Sequence, residues 1–239
     1  RTLDQLSEQY AAPIVANAGT VEEGATADDN RFFNSQFVWD AENGWGDQYD
    51  KKHPIPFGEY VPDREFWYSL APDLIGLIGR GYSPGERASI LEVGDIRAGT
   101  YICYDIVDDV LIRDAVLEGA TVLFAPSNNA DFGKTDEPAQ QLAFARLRSM
   151  ETGRSIVQAS TVGLSAIYSP EGSVLGELPW YEPGVMIVDV PLADGLTPAV
   201  LFGRGIEVTL AALGLGLLVG AGSSKTQRMS IATARIPRR

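Results

Sequence analysis

Apolar residues follow two rhythms in this chain, and the order in which the rhythms alternate predicts its architecture. Period-two or continuous apolar runs, bounded by Gly, Pro, Asn or Asp, predict strands over residues 12–19, 31–39, 89–93, 96–102, 121–125, 155–159, 163–168, 173–178 and 185–190. Helical spacing predicts helices over residues 1–10, 63–79, 105–118 and 137–152. The stretch 43–62 is rich in Gly, Pro and Asp and reads as a loop with one short strand at 48–51. Strands and helices alternate through the centre and strands dominate the end. That order predicts an α/β fold: a mixed sheet covered by helices, with sheet packed on sheet and the helices outside.

Two segments carry more apolar surface than a soluble sandwich requires. Residues 63–79 include Phe66, Trp67, Tyr68, Leu70, Leu74, Ile75, Leu77 and Ile78, which exceeds one core-facing stripe. A buried helix and an amphipathic arm lying against lipid both satisfy that pattern. Residues 208–224 (VTLAALGLGLLVGAGSS) carry no charge, and Lys225, Arg228, Arg235, Arg238 and Arg239 follow without an acid among them. As a helix the run is roughly 25 Å long, close to the ~30 Å hydrocarbon core of a bilayer. Its Gly and Ala content and its basic flank fit a transmembrane helix with the tail in the cytoplasm. The expected organisation is a folded domain over 1–204 lying outside the cytoplasm, a transmembrane helix over 205–224 and a basic cytoplasmic tail over 225–239.

Composition narrows the chemistry. A net charge of −13 opposes nucleic-acid binding, which needs a basic face to displace counterions. One histidine, His53, and one cysteine, Cys103, exclude multi-histidine and thiolate-rich metal sites, and no cofactor is expected. Hydrolytic or transfer chemistry must then run on carboxylates, lysines, hydroxyls or Cys103.

Cys103 lies where the strand pattern of 96–102 gives way to the helical pattern of 105–118. There a side chain sits at the carboxyl end of a strand and near the positive end of a helix, a setting that favours thiolate over thiol. Lys51 with Glu59, and Asn128 with Asn129, also follow predicted strands, so all three groups are expected on one rim of a sheet, where α/β folds bind ligands. Taken singly, each has a plain alternative: a small buried hydrophobe, a solvated lysine, a surface carboxylate, an Asx turn.

Taken together, these groups resemble a known pattern. The run Tyr49-Asp50-Lys51-Lys52-His53-Pro54-Ile55-Pro56-Phe57-Gly58-Glu59-Tyr60, then Ile102-Cys103-Tyr104-Asp105, then Ser127-Asn128-Asn129-Ala130-Asp131-Phe132-Gly133, is similar to the nitrilase (carbon-nitrogen hydrolase) superfamily and, within it, to the bacterial apolipoprotein N-acyltransferases. The resemblance implies an αββα sandwich with a Cys-Glu-Lys set, in which Cys103 matches the nucleophile, Lys51 the lysine and Glu59 a supporting glutamate. It places Tyr104, Asp105, Asn128 and Phe57 among the residues that support the site or bind substrate. It further implies acyl transfer from a membrane phospholipid, through a thioester on Cys103, to the N-terminal amine of an apolipoprotein's lipid-modified cysteine.

The sequence departs from that pattern in three places. Asp105 is shorter than the usual glutamate, and Asp131 stands where the pattern has an aromatic residue. The strand that would carry the general-base glutamate precedes the segment matching 1–10, so the expectation is a C-terminal fragment that is inactive alone. Two further readings stay open: a soluble amidase using the same Cys103, and a catalytically dead extracytoplasmic binding domain.

Overall fold

The structure is a computed structural model that describes residues 2–26, 29–79 and 81–233, with the backbone alone for 222–233. The chain separates into two compact units, Arg1–Val200 and Leu201–Arg239.

In the first unit, helix α1 (Thr2–Tyr10) leads into a three-stranded antiparallel sheet, β1 (Ile14–Glu22), β2 (Arg31–Asp40) and β3 (Gly44–Asp50), in that spatial order. Pairing of Asn17 with Gln36 and of Gln36 with Tyr49 fixes the register. Because strand side chains alternate, Asn34, Gln36, Val38 and Tyr49 share one face of this sheet. Helix α1 is tied to the sheet by the Trp39 indole N–H donating to Asp4 at 3.0 Å and by the Ala41 amide donating to the Ser7 hydroxyl at 3.0 Å.

A six-stranded mixed sheet follows, in the spatial order β4 (Ile90–Val93), β5 (Ile96–Thr100), β6 (Val122–Phe124), β7 (Ser155–Gln158), β8 (Ser165–Tyr168) and β9 (Val174–Leu178). β5, β6 and β7 run parallel, through crossovers that hold α4 (Asp109–Leu117) and α5 (Glu137–Thr152). Two cores separate the layers. Val38 and Tyr49 of the small sheet meet Leu91 and Ile102 of the large one. On the large sheet's other face, Tyr101, Leu123 and Ile156 pack with Ile112, Val116 and Ala145 of the helices. Each large side chain buried there contributes about 1.5–3 kcal/mol. The layers are therefore helix, sheet, sheet, helix.

The expected elements at 1–10 and 137–152 form within a residue of their predicted ends, with Arg1 itself outside the described residues. The strands expected at 12–19 and 48–51 form as Ile14–Glu22 and Gly44–Asp50, and three other elements differ more. The helix expected over 63–79 is two short helices, α2 (Arg64–Leu70) and α3 (Pro72–Ile75), because Pro72 drives Ala71 out of the helical region to φ −144°. Arg64 holds the pair together by donating to the carbonyls of Ile75, Ile78 and Gly79. The helix expected over 105–118 begins only at Asp109, because Cys103–Val107 forms a 3₁₀ turn and the Asp108 carboxylate then caps the amides of Val110 and Leu111. The strand expected at 185–190 forms no ladder; Met186 and Val188 lean toward β9, while Val185 and Ile187 are 82% and 92% exposed.

Helix α6 (Pro198–Phe202) closes the first unit by placing Val200 in its core. The second unit is dominated by α7 (Arg204–Thr233), 30 residues long. Its window Arg204–Ala221 has a mean hydropathy of 1.5 with nothing buried, so this helix is long and apolar enough to cross a membrane. The helix continues into the segment read as a basic tail, whose Arg235, Arg238 and Arg239 lie outside the described residues.

Candidate active site

The carboxyl ends of β5 and β6 open onto a cleft of about 820 Å³ between the two sheets. Cys103, Lys51, Glu59 and Asn128 all line it. The sandwich thus brings together residues up to 77 positions apart (128 − 51) at the rim expected from the strand-helix pattern.

Cys103 is held in an unusual backbone conformation. After β5 the chain continues parallel to β6, with the Tyr101 amide donating to Phe124 O at 2.9 Å and the Cys103 amide to Pro126 O at 2.9 Å. At Cys103 φ turns to +54°, a left-handed conformation that residues other than Gly adopt only under compensation. The turn aims a half-buried thiol into the cleft. Compensation comes from behind: buried Arg148 of α5 donates to the carbonyls of Ile106 and Val107 at 3.0 and 2.8 Å, closing the 3₁₀ turn. Burial disfavours the Arg148 cation, but its bonds to Glu151 and Asp109 outweigh that and raise its pKa above the ordinary arginine value. The expected proximity of an α-helix amino end to the sulfur is not found, because α4 starts beyond Asp108.

Lys51 follows β3 and is only 1% exposed. A buried ammonium needs a partner, and the Glu59 carboxylate provides one, 2.5 Å from Nζ. Glu59 also accepts from the Ile55 amide at 2.8 Å and from the Asn34 side-chain amide at 3.1 Å. The Lys51 backbone is clamped on both sides, donating to Asn34 O and accepting from the Gly85 amide, each at 2.8 Å. Gly85 approaches so closely that a Cβ there would lie 2.0 Å from Asp50 O.

Asp105 is completely buried and does not line the cleft. Its carboxylate accepts from the Tyr49 hydroxyl at 2.6 Å, the Lys52 amide at 3.2 Å and the His53 amide at 2.9 Å, and contacts the His53 ring at 3.1 Å. It therefore fastens the segment after Lys51 to the turn that carries Cys103. Burial, and then the negative charge of Asp105, push the Tyr49 phenol far above its usual range, so it stays a donor. Both His53 ring nitrogens face carboxylates, Asp105 and Asp108, and His53 is absent from the cleft lining, so a Cys103–His53 dyad does not form.

The remaining expected residues divide. Asn128 lines the cleft, where its side-chain oxygen accepts from Thr161 Oγ1 at 2.7 Å and from the Ala130 amide at 3.3 Å, so it serves both the turn and the wall. Tyr104 is 53% exposed and outside the lining. Phe57 is also outside the lining; its φ of +60° presents the ring edge-on to Trp67 with centroids 5.3 Å apart. Sequence reasoning missed Asn34, which lines the cleft and holds Glu59, and Tyr49 and Arg148, which lie outside the lining and hold the segments that carry Lys51 and Cys103.

A cysteine aimed into a cleft beside a buried Lys-Glu pair has the parts for nucleophilic attack on an acyl carbon with a cation near the developing oxyanion. Comparisons with known proteins agree with this architecture. Residues 1–195 match the carbon-nitrogen hydrolase family. Among curated relatives, the apolipoprotein N-acyltransferase of Mycolicibacterium smegmatis is 34% identical over 215 residues, covering 89% of this chain and 35% of that protein. The apolipoprotein N-acyltransferase of Vibrio cholerae serotype O1 is 32% identical over 185 residues, covering 74% of this chain and 36% of that protein. The chain thus spans about a third of the length of these relatives. Among solved structures, an amidase from Nesterenkonia sp. superposes with a TM-score of 0.57 at 21% identity, covering 88% of this chain and 70% of that one. A mutant of the Nesterenkonia AN1 amidase from the nitrilase superfamily gives 0.59 at 21% identity, covering 87% and 70%. That likeness establishes the sandwich fold, and with the family match over most of its length the chain belongs to the carbon-nitrogen hydrolase family.

Proposed function

We propose that this chain carries the thioester-forming half of an apolipoprotein N-acyltransferase: Cys103 takes a fatty acyl group from a membrane phospholipid and passes it to the N-terminal amine of a lipid-modified apolipoprotein cysteine. The observation that carries the reading is Cys103 at φ +54° in the same cleft as the buried Lys51–Glu59 pair, in a chain similar to enzymes of that name. Cys103 attacks the ester carbonyl, the Lys51 ammonium stabilises the oxyanion, and Glu59 fixes the ammonium's position. Lys51→Met is expected to slow acylation by about 10²-fold, the usual loss on removing one oxyanion stabiliser, as measured by p-nitrophenol release from a long-chain p-nitrophenyl ester. An unchanged rate removes Lys51 from the mechanism.

A two-chain lipid donor must be met at a bilayer. Apolar side chains are exposed on the α2–α3 pair, with Phe66 57%, Leu70 63% and Leu74 67% exposed, and on α7, with Leu217 75% and Leu218 72% exposed. In this reading α7 spans the membrane, the catalytic unit lies outside the cytoplasm and the α2–α3 arm meets acyl chains. Removing residues 204–239 is expected to shift the protein from liposome-bound to mostly free in flotation; retained binding would assign the lipid contact to the arm alone.

Among the described residues no carboxylate hydrogen-bonds to the Cys103 sulfur, so no group there is positioned to relay its proton. These 239 residues are therefore expected to give a single stoichiometric burst with the activated ester and no sustained turnover of phospholipid. Butyramide separates this reading from a soluble amidase: steady ammonia release would favour the amidase, and none is expected.

A further inference from the structure

Three charged side chains line the cleft that holds Cys103: Lys51, Glu59 and Asp131. Lys51 and Glu59 neutralise each other across 2.5 Å. Asp131 is different: it lies in the exposed Ala130–Phe132 3₁₀ turn, and no hydrogen bond or ion pair engages its carboxylate among the described residues. The nearest cation in sequence, Lys134, lies over the Tyr181 ring, 5.5 Å from its centroid. The cleft lining therefore carries one uncompensated negative charge, on the wall formed by the loop after β6. Around it are the polar groups of Asn128 and Thr161, hydrogen-bonded to each other at 2.7 Å.

A lone carboxylate on a cleft wall attracts a cation, and concave low-dielectric walls focus that attraction. We propose that Asp131 is the recognition point for a cationic primary amine, the acceptor of the acyl group held on Cys103. This assignment rests on the acyl-transfer reading above and deepens it by placing the acceptor. The acceptor arrives as an ammonium, R–NH₃⁺, held by the Asp131 carboxylate, and loses one proton to solvent to become the nucleophile. Its nitrogen then forms a C–N bond to the thioester carbon while the C–S bond breaks; the amine's second proton ends on the Cys103 sulfur, giving an amide and a free thiol. As the C–N bond forms the nitrogen becomes positive, and the carboxylate stabilises that charge. The donor's reacting ester carbonyl gains no positive charge at the attacking atom, so the stabilisation by Asp131 acts in the amine-consuming half-reaction.

The test uses the whole chain and needs no turnover. Cys103 is the only cysteine, so its reaction with three methanethiosulfonates can be followed by mass: 2-aminoethyl (cationic), 2-sulfonatoethyl (anionic) and methyl (neutral). In each case a disulfide forms and methanesulfinate leaves. The ratio of cationic to anionic rate constants is expected to fall about fivefold or more in Asp131→Asn, the effect of one charge at short range in partly screened surroundings. The neutral rate should stay within about twofold, and Asp131→Glu should retain the ratio. Glu177→Gln, which removes an exposed charge on β9 outside the cleft lining, controls for the chain's overall charge. A ratio unchanged in Asp131→Asn, or lowered equally by Glu177→Gln, overturns the assignment. Failure of all three reagents to reach Cys103 overturns the accessible nucleophile itself, and the acceptor subsite with it.

Discussion

Cys103→Ala is expected to abolish acylation by a long-chain p-nitrophenyl ester, a loss of about 10³-fold or more, since no other group in the cleft substitutes for a missing nucleophile. The same change should leave the fold intact, because the half-buried thiol only borders the inter-sheet core. Cys103→Gly carries a sharper consequence. Its backbone sits at φ +54°, where a Cβ costs about 1–2 kcal/mol, so glycine relieves strain that the wild type tolerates. Loss of reactivity with equal or greater stability on thermal melting would mark Cys103 as a position kept for chemistry at the expense of the fold. A marked fall in melting temperature in both variants would instead make it a packing residue.

Asp105→Ala is expected to be the most destabilising single change near the site. It leaves the Tyr49 hydroxyl and the Lys52 and His53 amides without their acceptor. Tyr49 is fully buried, and burial, the largest cause of its raised pKa, keeps the phenol protonated without Asp105, so it stays a donor that has lost its carboxylate partner in a dry place. An orphaned buried donor costs about 1–3 kcal/mol, and with two partly exposed amides added the total is about 3 kcal/mol. For a unit of this size that corresponds to a fall of roughly 6–12 °C in melting temperature. Because the lost bonds tie the Lys51 segment to the Cys103 turn, acylation should fall even below the variant's melting point. Normal stability with normal acylation would show that the carboxylate positions nothing.

The fold was legible where one signal decided each element. The helix at 137–152 forms as Glu137–Thr152, ended by Gly153 at φ +65°, because apolar spacing, Pro near its start and a glycine stop agree. Errors arose where a local rule overrode periodicity. Pro72 split the helix expected over 63–79, and the turn needed to aim Cys103 delayed the next helix to Asp109. At 185–190 the apolar pattern of a strand is present, but no backbone pairing follows, and pairing is a property of neighbours that a single segment does not encode.

Site legibility followed the same division. Cys103, Lys51, Glu59 and Asn128 were visible because chemistry-bearing residues followed predicted strands, and strand ends converge on a rim. Asn34, Tyr49 and Arg148 were not, because their roles depend on register and depth. Asn34 reaches Glu59 only because of its place in β2, facing the backbone of Lys51. Arg148 reads as one of the two arginines on α5 until burial places it under the Cys103 turn. Asp105 was legible only as a carboxylate shorter than the pattern's glutamate. The structure gives it an indirect role, as the acceptor that joins two loops.

The proposed reaction stands on Cys103 accepting an acyl group as a thioester. Its most direct test is mass spectrometry of the intact and digested chain after exposure to a long-chain p-nitrophenyl ester, before and after neutral hydroxylamine. One acyl group per chain is expected, located on the peptide containing Cys103, released by hydroxylamine and absent from Cys103→Ala. An unmodified chain, or an acyl group on another residue that persists in Cys103→Ala, would contradict it.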